Sequence, residues 1–426
     1  MKAQASLSQK ILFTIMMVML YRFGSYIPLP GVDAIAMENL MKQNSSGIMG
    51  MFNMLSGGSL GRMSIFALAI MPYITSSIII QLFSMSYKAL SDMKKEGESG
   101  RKKMNQISRY LTIIIASMQA LAIVSALETM QTPSGEKIVL ISGLIFKTIG
   151  VMSLVVGTML LMWLGEQVTS KGIGNGSSMI IFFGIVSEIP SNFFSSMELI
   201  RKGALPIESY ALTMFVSILI MLFVIFCEKA IRKIPMHYPK HYGTGAPSMS
   251  AENSFLPIKI NIAGVIPPMF ADAMLRFPVT IANLSTDPSS IWGSVSMQLS
   301  RGKPLFMILY SGLIIFFCFT YTSIVFNTEE ISNNFKKGNI VIGSRRPGVP
   351  TQEYLDHVVL RTTAVGAIYI CLLCILPEVL FSAINLTVVG GTTMMILVNV
   401  VVDTFGQIQS YALGNRYDMI SKRLKL

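Results

Sequence analysis

The chain has 426 residues, of which 52% are hydrophobic and only 13% are charged. Soluble domains carry about 25% charged residues because their surface faces water, so a soluble multidomain protein is excluded. Four cysteines exclude a disulfide scaffold, and the apolar content excludes a disordered chain. What remains is a membrane protein with many spans, whose net charge of +12 suits anionic lipid head groups or an acidic partner such as RNA.

Ten stretches are apolar and long enough to be transmembrane helices, because a bilayer core about 30 Å thick needs about 20 apolar residues. They lie at about 11–28, 64–84, 108–127, 138–164, 177–195, 209–227, 262–282, 305–326, 361–384 and 388–405. We interpret the first as a retained span, since no small-residue cleavage pattern follows it. The sequence therefore predicts an all-α membrane protein with ten transmembrane helices.

The charge distribution predicts the orientation of these spans. Lys and Arg are about three times as frequent in one set of connections as in the other, a bias typical of the cytoplasmic side. The basic set comprises both terminal tails and the loops at 85–109, 165–176, 228–261 and 327–361. We therefore expect both termini in the cytoplasm.

No catalytic or metal-binding motif is recognisable. The sequence contains no HExxH pair, no GxSxG nucleophile elbow and no GxxxxGK[ST] phosphate loop. Pro239 lies between His237 and His241 and prevents a helical ligand pair. Cys371 and Cys374 form a CxxC, but within an apolar helix that supplies no further ligands. We therefore expect no cofactor and no enzymatic activity.

The segment from Ser45 to Gly61 reads SSGIMGMFNMLSGGSLG and is apolar, yet it is too short to cross a membrane. A run of Met, Phe, Leu and Ile exposed to water is costly. A re-entrant segment packed inside the protein is therefore favoured over an ordinary surface loop.

Two spans hold isoleucine pairs at i and i+4, namely Ile74 with Ile78 and Ile181 with Ile185. This spacing puts each pair on one helix face. Such pairs usually belong to a hydrophobic core. They line a pore only if the helices that carry them surround that pore.

The two large basic loops are consistent with a role in topology or in docking, and their composition favours docking. The first contains Lys229, Arg232, Lys233, Lys240 and Lys259, and the second contains Lys336, Lys337, Arg345, Arg346 and Arg361. Basic loops can simply enforce topology. The Pro, Tyr and Gly residues in both loops are typical of shaped surfaces.

Seven motifs, in order along nearly the whole chain, resemble the SecY family of bacterial protein-conducting channels. They are YRFGSYIPLPGVD from Tyr21, LGRMSIFALAIMPYITSSIIIQL from Leu60, KKEGESGRKK from Lys94, GEQVTSKGIGNGSS from Gly165, LPIKINIAGVIPPMFA from Leu256, RRPGVPTQEYLD from Arg345 and VVGGTTMMILVNVVVDTFGQIQS from Val388. Each string is moderately specific, and their order together with the span count makes the resemblance highly specific.

The resemblance implies two pseudo-symmetric five-helix halves, residues 1–200 and 201–426, that open like a clamshell in the bacterial cytoplasmic membrane. A lateral gate would lie between spans two and three on one side and spans seven and eight on the other. The family's apolar pore ring maps to Ile74, Ile78, Ile181, Ile185, Met269 and Ile396. Met269 departs from the branched aliphatic residue usual in the family.

The resemblance also implies a plug at about 47–62 that closes the pore. Its apolar residues are Ile48, Met51, Phe52, Met54 and Leu55. Signal sequences and translocating polypeptides would then be the substrates of the channel.

The basic loops would dock the SecA motor and the ribosome. The implied docking residues are Arg346, Arg345, Lys336, Lys337, Arg232, Lys233 and Lys240, with Arg346 matching the family's central arginine. Ser344 and Arg345 stand where the family has Gly and an apolar residue. The implied partners further include the SecE and SecG subunits, SecDF, YidC and anionic lipids.

Two other protein classes remain as alternatives. A secondary transporter of a small solute needs a broken helix with midplane charges, and Pro267 with Pro268 in span seven predicts such a break. The ionisable residues within spans form no evident relay; they are Lys147, Asp272, Arg276, Glu378 and Asp403. An intramembrane enzyme is disfavoured by the missing catalytic motifs.

Overall fold

Most of the chain is helical in the computed structural model of the protein. The described residues are 7–33, 36–37, 57–129, 138–140, 143–203, 206–237, 255–284, 303–343, 345–384 and 390–424. The helices are α1 (Leu7–Gly24), α2 (Met71–Ser86), α3 (Lys88–Lys95), α4 (Glu98–Thr129), α5 (Leu144–Lys171), α6 (Gly176–Arg201), α7 (Ile207–Lys229), α8 (Ile266–Leu284), α9 (Pro304–Val325), α10 (Thr328–Lys337), α11 (Val349–Ile384) and α12 (Gly391–Leu424). The strands are β1 (Ile231–His237), β2 (Phe255–Lys259) and β3 (Val341–Ile342).

Every predicted span overlaps one of these helices, so the all-α membrane fold is confirmed. Among the described residues, seven helices are long and apolar enough to cross a membrane. They correspond to spans three to six and eight to ten. The apolar helix α2 is shorter, and α1 and α8 cover spans one and seven.

The predicted start of span two at residue 64 is wrong, because α2 begins only at Met71. Ser64 forms a β-bridge with Pro28, residues 65–70 form turns, and Ala69 has a left-handed backbone with φ of 50°. Pro72 lies in the first turn of α2, where its missing N–H leaves no hydrogen bond unmade. The predicted helix began seven residues too early because residues 64–70 are mostly apolar.

The predicted helix break at Pro267 and Pro268 is also wrong. Helix α8 begins at Ile266, so both prolines occupy its first turn rather than its interior. Proline suits this position because its fixed φ is already helical and no intrahelical acceptor is available there. The proline pair therefore no longer supports a secondary transporter whose substrate site is formed by a broken helix.

Two interfaces between helices, here called seams, join the residues before position 200 to those after it. In the first, α12 packs against α6 and α1, and Gln407 Oε1 accepts a 2.9 Å hydrogen bond from the Gly174 backbone N–H. In the second, α8 packs against α2 and α4. Both contacts bring helices from before position 200 against helices from after it.

The outer faces of the helices are apolar and exposed. Phe226 on α7 is 75% exposed, and Leu372 on α11 is 56% exposed. Large apolar surfaces of this kind are unusual on proteins that face water. They fit helices whose outer faces contact lipid.

A small sheet follows α7 and forms a separate core outside the spans. Strand β1 pairs antiparallel with β2, from Ile231 opposite Lys259 to Pro235 opposite Phe255, and its end pairs with β3. The inward face of this sheet is buried against the start of α11. The sheet thus holds the two basic loops together as one folded unit.

Candidate pore and docking surface

A cavity lies where the starts of α2 and α8 approach α6 and α12. Its lining is mostly apolar and comprises Ala69, Ile70, Met71, Ile181, Pro268, Met269, Asp272, Thr392 and Ile396. Residues from before and after position 200 therefore line the same cavity.

The structure brings five of the six ring residues into one apolar cluster. Ile181, Met269 and Ile396 line the cavity itself. Ile185 is fully buried next to Ile181, and Ile74 packs against the same cluster. These five residues come from α2, α6, α8 and α12, and their apolar side chains pack together beside the cavity.

Ile78 does not join this cluster. It packs instead against the buried residues of the later helices, a group that includes Phe270 and Leu275 of α8. Ile74 and Ile78 are four residues apart and share a face of α2, yet they reach different neighbours. Ile78 thus lies at the seam between α2 and α8.

Helix geometry explains how these side chains come together. In α12, Thr392 and Ile396 are four residues apart, so both face the cavity. Helix α6 begins at Gly176, and its start is fixed by the Asn175 side chain, which accepts a hydrogen bond from the Ser177 N–H at 3.2 Å. This cap positions Ile181 one and a half turns later.

Two polar residues of the cavity were missed as site residues by sequence reasoning. Asp272 is 6% exposed and Thr392 is 8% exposed, and both line the cavity beside Met269 and Ile396. Asp272 counted among the ionisable residues within spans that form no evident relay. The sequence signal that could have identified Asp272 as a cavity residue is its spacing of three residues from Met269. This spacing places both residues on one face of α8.

A second polar group missed from the sequence surrounds Gly57. Arg22 Nη1 and Arg62 Nη2 both donate to the Gly57 carbonyl, at 2.8 Å and 2.9 Å. Arg22 lies in the last turn of α1, and Arg62 lies in the turns before α2. The Arg22 contact joins Gly57, which falls within the predicted plug range of 47–62, to α1. The predicted plug residues Ile48, Met51, Phe52, Met54 and Leu55 lie outside the described residues.

The N-terminal side of the second seam is held together by buried hydroxyl groups. Ser76 of α2 donates to the Ser108 carbonyl of α4 at 2.5 Å, and Thr112 donates to Ser76 Oγ at 3.0 Å. Opposite them, α8 meets α2 and α4. Helices α2 and α4 therefore form one unit facing α8.

The predicted docking residues within the described chain are exposed. Arg232 and Lys233 lie on β1, Lys336 and Lys337 end α10, and Arg345 and Arg346 follow β3. The sheet joins the two loops, so these six residues belong to one folded unit. Lys240 and Ser344 lie outside the described residues.

The loop that carries Arg345 and Arg346 has a defined shape. The Arg345 guanidinium stacks on the Tyr354 ring at 4.8 Å. The Arg346 carbonyl accepts a 2.8 Å hydrogen bond from Thr351 Oγ1, and the Gly348 carbonyl accepts one from Ser332 Oγ at 2.6 Å. These contacts anchor the backbone on both sides of Arg346 and leave its side chain exposed.

No metal centre is assembled in the part of the chain that the structure describes, where no group of three His, Cys, Asp or Glu residues could hold an ion. Cys371 and Cys374 are buried free thiols. This arrangement fits small apolar packing residues.

The chain is similar in sequence to curated protein translocase subunits. A family model described as SecY matches residues 64–405. "Protein translocase subunit SecY" of Rickettsia bellii is 51% identical over 427 residues, covering 100% of this chain and 98% of the relative. The protein of the same name from Escherichia coli K12 is 42% identical, covering 99% and 95%.

The chain is also similar in fold to solved structures. One, described as "The structure of a protein conducting channel", has a TM-score of 0.72 at 16% identity, covering 97% of this chain and 94% of that chain. Another, "Sec61 in the Canine ribosome-channel complex from the endoplasmic reticulum", has a TM-score of 0.68 at 16% identity with the same coverage. These likenesses show the fold, and the sequence matches show that the chain belongs to the SecY family of protein translocase subunits.

Proposed function

We propose that this chain forms the protein-conducting channel of a Sec translocase in the bacterial cytoplasmic membrane. It would pass secretory proteins across the membrane and release membrane proteins sideways into the lipid. The cavity framed by Ile181, Met269 and Ile396 supports the proposal most directly. As in the sequence-based expectation, both termini are cytoplasmic and the chain catalyses no reaction itself.

An apolar constriction suits this work for two physical reasons. It offers no specific polar contacts, so polypeptides of many sequences can pass without being bound tightly. A narrow apolar passage also resists wetting, which opposes ion flow at rest. Met269 is unbranched and flexible, so the ring can adjust around a passing chain.

The two seams support a clamshell mechanism in which residues 1–200 and 201–426 move as halves. Helices α2 and α4 are joined by the Ser76 and Thr112 hydrogen bonds, whereas α8 contributes apolar side chains to the seam opposite. A signal helix would replace the contacts between α2 and α8 with its own apolar face. It would thereby shift the equilibrium from closed to open.

The exposed basic residues support docking of a motor or a ribosome on the sheet and its neighbouring loop. Guanidinium groups bind backbone carbonyl, carboxylate and phosphate oxygens, so Arg346 can serve either partner. The SecE and SecG subunits would complete the complex, and SecDF, YidC and anionic lipids would act around it. One solved structure of similar fold comes from a ribosome–channel complex.

Site-specific crosslinking of a stalled secretory chain tests the proposal. A photo-crosslinker at Ile396 or Ile74 should react with the stalled chain, because both positions lie in the central cluster. A crosslinker at Leu372, on the outer face of α11, serves as the control. Equal crosslinking at Leu372 and Ile396 would contradict passage through the centre.

A further inference from the structure

One charged side chain lies among the residues that line the cavity. In the described lining, Asp272 of α8 is the only ionisable residue and Thr392 of α12 supplies the only hydroxyl group. Asp272 is 6% exposed, and an ionised carboxylate is costly to bury without polar or cationic partners. It already has a contact in the structure. Because a carboxylate has about four lone-pair sites, it can accept from a further donor.

Asp272 lies beyond Met269 along α8, as seen from the basic sheet. Helix α8 begins at Ile266, shortly after strand β2 of that sheet. Met269 and Asp272 are three residues apart, so they share a face of the helix and are about 4.5 Å apart along its axis. Under the proposed function, a polypeptide that comes from the sheet side reaches Met269 first and the carboxylate almost one turn later.

The composition of the lining favours one kind of bound group. Lys and Arg side chains combine an apolar stem with a cationic head. Such a stem can pack against Met269 and Ile396, which line the cavity with Asp272, while the head approaches the carboxylate. A calcium ion takes about six to eight oxygen ligands, which is more than one carboxylate and one hydroxyl supply. The lining therefore favours a cationic side chain over this metal ion.

We infer that Asp272 is a binding position for the Lys and Arg side chains of a polypeptide that passes through the cavity. The inference rests on the proposed function and extends it, because apolar side chains alone do not distinguish positive from negative residues. A charge that enters an apolar passage loses hydration at a cost, and an opposite charge nearby offsets part of it. Asp272 thus eases the passage of cationic residues and hinders that of acidic ones.

Transport of matched precursors by the complete translocase, with the membrane potential abolished, tests this role. Three secretory precursors differ only in one short run of Lys, Glu or Ser, and the Ser precursor corrects for the speed of the motor. Asp272→Asn keeps the size of the side chain and removes its charge. Relative to the Ser precursor, we expect the Lys precursor to slow by about threefold, as for a Coulomb energy of about RT, and the Glu precursor to speed up.

A matched control and a relocated charge separate electrostatics from packing. Glu208→Gln removes a carboxylate from an exposed position at the start of α7 and should leave all three rates unchanged. Asp272→Asn combined with Thr392→Asp returns one carboxylate to the same cavity, so it should restore the parent ratio of Lys to Glu rates. A role of Asp272 in packing α8 would not be restored in this way.

Two results would overturn the inference. One is a ratio of Lys to Glu rates in Asp272→Asn equal to that of Glu208→Gln, and the other is a double variant that keeps the ratio of Asp272→Asn. If Asp272→Asn does not assemble, Asp272→Ser takes its place with the same expected outcome. If the parent fails to transport the Ser precursor, the proposed function itself is wrong. If it transports that precursor and the ratio is insensitive to Asp272, only the role of Asp272 is wrong.

Discussion

The Asn261 side chain joins the end of α7 to the start of α8 through Glu228. Asn261 Nδ2 donates a 2.7 Å hydrogen bond to Glu228 Oε1, and both side chains are buried. Asn261 Oδ1 also accepts from the Gly264 N–H at 2.9 Å. The turn that leads into the cavity-lining start of α8 is thus fixed to α7.

Replacing Asn261 should destabilise the fold. Asn261→Leu leaves Glu228 buried with fewer donors, which should cost about 1.5–3 kcal/mol, as for hydrogen bonds to charged groups. The measurement is the thermal unfolding midpoint of the purified chain in detergent. Asn333→Leu, at an exposed position on α10, is the matched control. Equal midpoints for the two variants would contradict a structural role for the Asn261 contact.

A polar residue in the central cluster should open the resting channel to ions. Ile396→Ser introduces a hydroxyl where the apolar lining resists wetting, so resting conductance should increase. Val401→Ser changes an exposed residue of the same helix and should leave conductance near that of the parent. If the resting conductance of Ile396→Ser equals that of the parent, the barrier to ions lies somewhere other than this cluster.

Reversing the charge of Arg346 should impair motor-driven transport. Arg346→Glu removes a guanidinium donor and adds repulsion toward carboxylate or phosphate, so SecA-driven transport into vesicles should fall by about tenfold or more. Lys202→Glu makes the same charge change on the side predicted to face away from the cytoplasm, and it should transport normally. Transport by Arg346→Glu at the parent rate would remove Arg346 from the docking surface.

Two glycines in membrane helices should differ sharply in their tolerance of alanine. A methyl group at Gly157 of α5 would overlap the Ile65 carbonyl, whereas one at Gly312 of α9 would meet no atom within 4 Å. Gly157→Ala should therefore lose about 1–3 kcal/mol through overpacking, and Gly312→Ala should lose none. Thermal midpoints of both variants test this difference, and a stable Gly157→Ala protein would show that the turn at Ile65 can move.

The helices could be predicted from the sequence because a bilayer imposes a minimum apolar length. Their starts were less predictable where prolines occur, since Pro72 and Pro267 begin helices rather than interrupt them. Isoleucine spacing predicted that Ile181 and Ile185 share a face. It could not reveal that Ile78 packs on different neighbours from Ile74, because periodicity describes one helix and not its partners.

The polar contacts around the pore were beyond sequence reasoning for a related reason. Arg22 and Arg62 are 40 positions apart, and their meeting on Gly57 depends on the turns between α1 and α2. Sequence spacing describes single elements, so it could not show that both guanidinium groups reach one backbone carbonyl.

Under the proposed function, the position of Ile78 leads to an expectation about how cargo is sorted. Together with Leu82 it packs against the apolar core of the later helices, across the seam between α2 and α8. Any guest helix that enters this seam must offer at least as much apolar surface as these two side chains lose. We therefore expect the seam to act as a hydrophobicity threshold, and residue size at position 78 to determine which segments leave for the lipid and which continue through the membrane.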